Sequence, residues 1–126
     1  MSELKLLQPQ EIDVYYLLPA IRRELTLALK KQGFDQKTIA KRLHVTESAV
    51  SQYVSSKRAA EVVFTARILE YIRTASTMVV DDKSLMIEMQ KILAFSHEDK
   101  IICKLHEKLS KLPINCDVCF HHEKDN

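Results

Sequence analysis

Glycine is nearly missing from this chain: Gly33 stands alone, and with three prolines it must serve all 126 residues. An all-β fold needs turn residues every few positions, so that class is excluded. The abundance of Leu, Ala, Glu and Lys points instead to helices. Long apolar runs are missing too. None approaches the ~20 residues of a membrane span, and the N-terminus lacks a signal-peptide pattern. We therefore expect an all-α protein of the cytoplasm with no membrane contact. Cysteine is scarce and unevenly placed, with Cys103, Cys116 and Cys119 all in the last quarter. An odd number without a secretion signal argues against a disulfide framework, and clustering favours metal or redox chemistry.

What is present divides unevenly along the chain. The net charge is +2, yet residues 20–58 carry nine Lys/Arg against three Asp/Glu, and the remainder carries ten against fourteen. A basic half on a near-neutral chain is the footprint of a polyanion-binding module. The same charge would also suit a solvated helix face, so the decision falls to the pattern of apolar residues within it.

That pattern is clearest from Gln36 to Val54, QKTIAKRLHVTESAVSQYV. Ile39, Ala40 and Leu43 make one apolar face, His44-Val45 a turn, and Ala49, Val50, Tyr53 and Val54 a second stripe. Both stripes follow the helical i, i+3, i+4 spacing. Thr46, Glu47, Ser48, Ser51 and Gln52 are left on the outer face. A short helix with an apolar back and a hydrogen-bonding front is what reading a DNA major groove requires. Asp35 is placed to cap the first helix, opened by Gln36 and Lys37, and Thr46 to cap the second. The Thr46 hydroxyl also suits a phosphate, as do Lys57 and Arg58 beyond the second helix. His44 occupies a turn that visits positive φ, which histidine tolerates better than most residues.

Around this unit the spacing predicts further helices. Glu11 to Leu17 reads as a short one, broken at Leu18 because the residue before a proline is pushed from helical backbone. Pro19 then opens a longer helix whose apolar face is Ile21, Leu25, Ala28 and Leu29, ended by Gly33 in a left-handed conformation. Val62 to Thr77 reads as another, with Ile68, Leu69, Ile72 and Ala75 inward. Asp81-Asp82 caps one marked by Leu85, Met89, Ile92 and Leu93 to about Phe95, with Met86 and Met89 assigned to the core. Ser96 and Asp99 resemble a capping box starting a last helix before Pro113.

On that last helix Cys103 and His106 lie three apart and share a face. Cys116-Asp-Val-Cys119 is a CxxC. Three thiolates and one imidazole match a closed tetrahedral zinc site, and equally an iron–sulfur cluster with a non-cysteine fourth ligand. His121 or His122 are alternative donors. A metal-free redox dithiol is the other chemistry this spacing allows. No Ser/His/Asp pattern, phosphate loop or paired carboxylates stands out, so no enzyme is expected.

Gln36 to Ala40 together with Val45 to Tyr53 resembles the phage-repressor-like (XRE) helix-turn-helix family. Leu18-Pro-Ala-Ile-Arg-Arg-Glu-Leu25 and the terminal CxxC are similar to archaeal predicted regulators that add a C-terminal cysteine cluster. The resemblance implies base contacts from Glu47, Ser48, Ser51 and Gln52. It implies phosphate contacts from Gln36, Thr46, Lys57 and Arg58, and Lys37 is counted with this DNA-binding set. Two departures stand out: His44 replaces the usual glycine, and Met86 and Met89 stand near the place where some relatives carry a further cysteine pair. The organisation expected is a helix-turn-helix DNA-binding domain at 9–60, a helical dimerisation and sensing region at 61–112, and a Cys/His metal knuckle at 103–119. A homodimeric regulator of transcription on double-stranded DNA is the function this implies. A protein-interaction adaptor with a structural zinc site is the alternative.

Overall fold

The computed structural model describes residues 8–55 and 62–100, and all regular structure among them is helical. The elements are α1 (Pro9–Ile12), a π-helical turn (Asp13–Leu17), α2 (Leu18–Lys31), α3 (Gln36–Leu43), α4 (Glu47–Ser55), α5 (Ala66–Ser76) and α6 (Asp82–Glu98). No helix among the described residues is long and apolar enough to cross a membrane.

The break expected at Leu18 is absent. Leu18 is helical, with φ −58° and ψ −48°, and the chain runs from α1 into α2 through the π turn. Pro19 has no N–H to donate and its ring crowds the preceding turn. The backbone widens instead of breaking, with the Leu18 N–H reaching the Asp13 carbonyl five residues back. A π turn brings residues five apart onto one side, so Ile12 and Leu17 are both buried.

α2 is the central helix, packing against α3, α4, α5 and α6. Ile21, Leu25, Ala28 and Leu29 are buried, as the spacing predicts, and Ala20 and Thr26 are buried with them. It ends where expected, with Gly33 at φ +100°. The Gly33 N–H bonds Lys30 O at 3.0 Å and the Phe34 N–H bonds Leu29 O at 3.3 Å, which satisfies carbonyls the helix leaves open. Phe34 then packs against the core.

α5 begins at Ala66, four residues later than the apolar pattern alone suggests. Val62 and Phe64 are buried, Val63 and Thr65 are exposed, and this alternation marks an extended approach. Thr65 caps α5 by accepting the Ile68 N–H at 3.3 Å. Asp81 caps α6 as expected, in a reciprocal box with Ser84. These hydrogen bonds hold the Asp81 carboxyl below the ordinary carboxylate value.

α6 passes through Ser96 to Glu98, so the capping box expected at Ser96 and Asp99 does not form. Ser96 is fully buried inside the helix, and its hydroxyl meets no partner among the described residues. Asp99 takes the Arg67 guanidinium at 2.9 Å and the Thr65 hydroxyl at 3.2 Å instead. Arg67 also lies 4.2 Å over the Phe95 ring, which meets Tyr71 at 4.7 Å, so α5 and α6 are clamped at this end. Met89 joins the core, but Met86, expected there too, is 72% exposed: it lies toward the edge of the buried face that Met89 and Ile92 occupy.

One apolar cluster runs from Ile12 through Leu43 and Val50 to Ile92. α5 and α6 thus complete the same core that supports α3 and α4. Gln32 and Ser76 join the ends of α2 and α5 by a side-chain hydrogen bond of 2.7 Å.

Candidate nucleic-acid interface

α4 is held from behind by Val50 and Tyr53, both buried. Ala49 is half-buried. Val54, expected in the same stripe, is exposed, since the buried face of so short a helix narrows to one side. On the outer side Ser48, Ser51, Gln52 and Ser55 lie at i, i+3, i+4 and i+7 and are all exposed, with Glu47 one turn from Ser51. Ser55 is a member of this stripe that the sequence reading did not single out. Its hydroxyl donates to the Ser51 carbonyl at 2.7 Å. Thr46 caps the helix as expected, its Oγ1 accepting the Ala49 N–H at 3.0 Å. The hydroxyl proton still has a direction in which to donate.

α3 is fixed at both ends. Asp35 accepts the Thr38 N–H at 2.8 Å, and hydrogen bonding with the Thr38 side chain and backbone holds its carboxyl below the ordinary value. At the other end His44 adopts φ 55° and ψ 45°, the left-handed conformation expected of it. The Val45 N–H then reaches Ala40 O at 3.0 Å, the same closure as at Gly33. Gln36 is exposed, and its amide donates to the Glu47 carbonyl at 2.9 Å. This bond ties the start of α3 to the first turn of α4. No helical periodicity announces such a contact between residues eleven apart. The Arg42 guanidinium, 4.1 Å over the Phe34 ring, braces the back of the unit and was equally silent in the sequence.

The cations are distributed around this unit. Lys30, Lys31, Lys37 and Lys41 are exposed and form no ion pair among the described residues. Lys37 and Lys41 line one cleft with Asp81 and Asp82, so two carboxylates share their side of the molecule. The arrangement can present hydrogen-bond donors and acceptors from one rigid helix face, with mobile positive charge beside it.

Lys57 and Arg58 lie outside the described residues, as do Cys103, His106, Cys116 and Cys119 with His121 and His122. Among the described residues no group of three or more His, Cys, Asp or Glu side chains could hold a metal ion. Comparison with known proteins returns no matching family model, no matching curated protein and no matching solved structure.

Proposed function

We propose that this chain is a sequence-specific, DNA-binding regulator of transcription that acts as a homodimer, as the phage-repressor-like resemblance implies. The observation that carries the reading is the exposed polar stripe of α4 standing on a buried apolar back. α4 enters the major groove, where Gln52 suits the paired donor and acceptor edge of adenine and Glu47 accepts from cytosine. Ser48 and Ser51 fit either base class. Gln36, Lys37, Thr46, Lys57 and Arg58 supply phosphate contacts that set the register without reading sequence. A single such unit reads half a site. Dimerisation through the region after residue 61 then sets two half-sites about 34 Å apart, one turn of the duplex.

Cys103, His106, Cys116 and Cys119 are proposed to hold zinc or an iron–sulfur cluster. The donor set fits either: three thiolates with an imidazole close a tetrahedral zinc site, and three thiolates with a non-cysteine fourth ligand match a cluster. Zinc would staple the C-terminal segment. A cluster would supply a redox state to which DNA affinity responds. Elemental analysis and a visible spectrum on protein purified without oxygen decide between them, and protein that is colourless and free of metal would overturn both.

A titration against genomic DNA fragments at several salt concentrations tests the main reading. Binding that weakens steeply with salt is expected, since phosphate contacts release counterions. Gln52→Ala should relax preference at one base position by about 1–3 kcal/mol. Salt-independent affinity, or none, would favour a protein-interaction module built on the same helices.

A further inference from the structure

Beside the turn, the back of α4 and the first half of α6 enclose a groove of about 680 Å³. Small-ligand clefts typically measure about 300–1,000 Å³. Leu43, Met89 and Tyr53 are buried side chains at its floor, Leu85 forms a wall, and Met86 stands exposed at its mouth. Methionine side chains reshape readily around an apolar guest.

One charge on this lining has no counter-charge. Arg22 of α2 is half-buried, and among the described residues its guanidinium meets no carboxylate or carbonyl. Its neighbours are used differently: Arg23, Arg67 and Arg73 each hold a carboxylate, and Arg42 lies on Phe34. The acidic residue of the lining, Asp82, faces His44 at 3.6 Å and is 79% exposed, so water screens it. The Arg22 side chain thus offers an unclaimed guanidinium at the edge of the groove, and its planar fork suits a carboxylate well.

We propose that this groove is a binding site for a small amphipathic carboxylate, with its aliphatic body over Leu85, Met86 and Met89 and its headgroup on Arg22. Gln90, also on the lining, adds an amide donor. Ala49 of α4 and Thr46, which caps it, form the opposite wall, so an occupant bears directly on the placement of α4. The site stands on its own. Its effect on DNA affinity rests on the DNA-binding function proposed above.

Octanoate is a suitable probe, read by NMR of selectively labelled methionine methyls in the full chain. Met86 and Met89 should shift saturably, while Met78, in the cleft between α5 and α6, should not move. Octanol should bind more weakly, and Arg22→Gln should reduce octanoate affinity by about tenfold or more, the loss expected for a charge-assisted pair. Gln90→Glu places a repelling charge on an exposed position, which keeps folding out of the question, and should also weaken binding. No shift at Met86 and Met89, equal affinity for octanol, or unchanged binding by both variants would overturn the site. With octanoate saturating, unchanged DNA affinity would overturn the link to α4. A parent chain that binds octanoate but no DNA would overturn the DNA reading and leave the site standing.

Discussion

His44 closes α3 in a conformation that costs most L-residues about 1–2 kcal/mol. Histidine bears it better than a β-branched residue, and glycine bears it without strain. Denaturant titration should therefore show His44→Val less stable by about 1–2 kcal/mol and His44→Gly no less stable than the parent. Equal stability of the three would mean that the turn relaxes. This residue was legible in the sequence because a fixed spacing between two apolar stripes forces a turn there. So were Asp35 and Thr46, since a cap is a local event settled within three residues. Gln36 was read for one of its two roles only. Its bond to the Glu47 carbonyl depends on the angle between two helices, which no local pattern states. Arg22 was missed as a site residue for the same reason: its surroundings come from α4 and α6.

Among the elements, those with strong periodicity and a local stop signal came out as expected, α2 and α3 above all. The boundaries that moved did so where a capping side chain found a partner that the spacing does not name. Val62 to Thr65 has the apolar content of a helix, but Thr65 captures the Ile68 N–H and the preceding residues stay extended. Ser96 and Asp99 carry the spacing of a cap, yet Arg67 and Thr65 claim the Asp99 carboxylate from another helix. Removing the Thr65 side chain should therefore act twice, on the cap of α5 and on the clamp to α6. We expect Thr65→Ala to lower stability by about 1 kcal/mol or somewhat more in urea unfolding. Thr65→Ser should retain most of it. A neutral Thr65→Ala would mean that neither contact contributes.

Across the whole molecule, His97 near the end of α6 meets Asp13 in the π turn at 3.0 Å, joining residues eighty-four apart. The hydrogen bond to Asp13 raises the His97 pKa above 6.5, partly offset by burial. The protonated form is thus favoured in the folded state. Its contribution is complete below the unfolded value and is lost as pH rises through the folded one. The stability difference between the parent and His97→Gln should be largest near about pH 6 and shrink toward about pH 8. With the His97 side chain 45% exposed, the effect will be small. A difference that grows with pH would contradict the pairing. The all-helical class was legible from glycine scarcity, whereas this contact between distant ends was not.

The shared core also has a consequence for synthesis. Leu43 and Val50 reach the ribosome exit early, but Ile68, Ile72 and Ile92, which seal the same cluster, are made afterwards. Domains fold as units during synthesis, N-terminal parts first when they are able. Here the N-terminal half must wait for α5 and α6, so a nascent chain halted near Ser55 presents bare apolar surface to chaperones. Arrested translation products of that length should be protease-sensitive, and resistance should arise only after α6 has emerged.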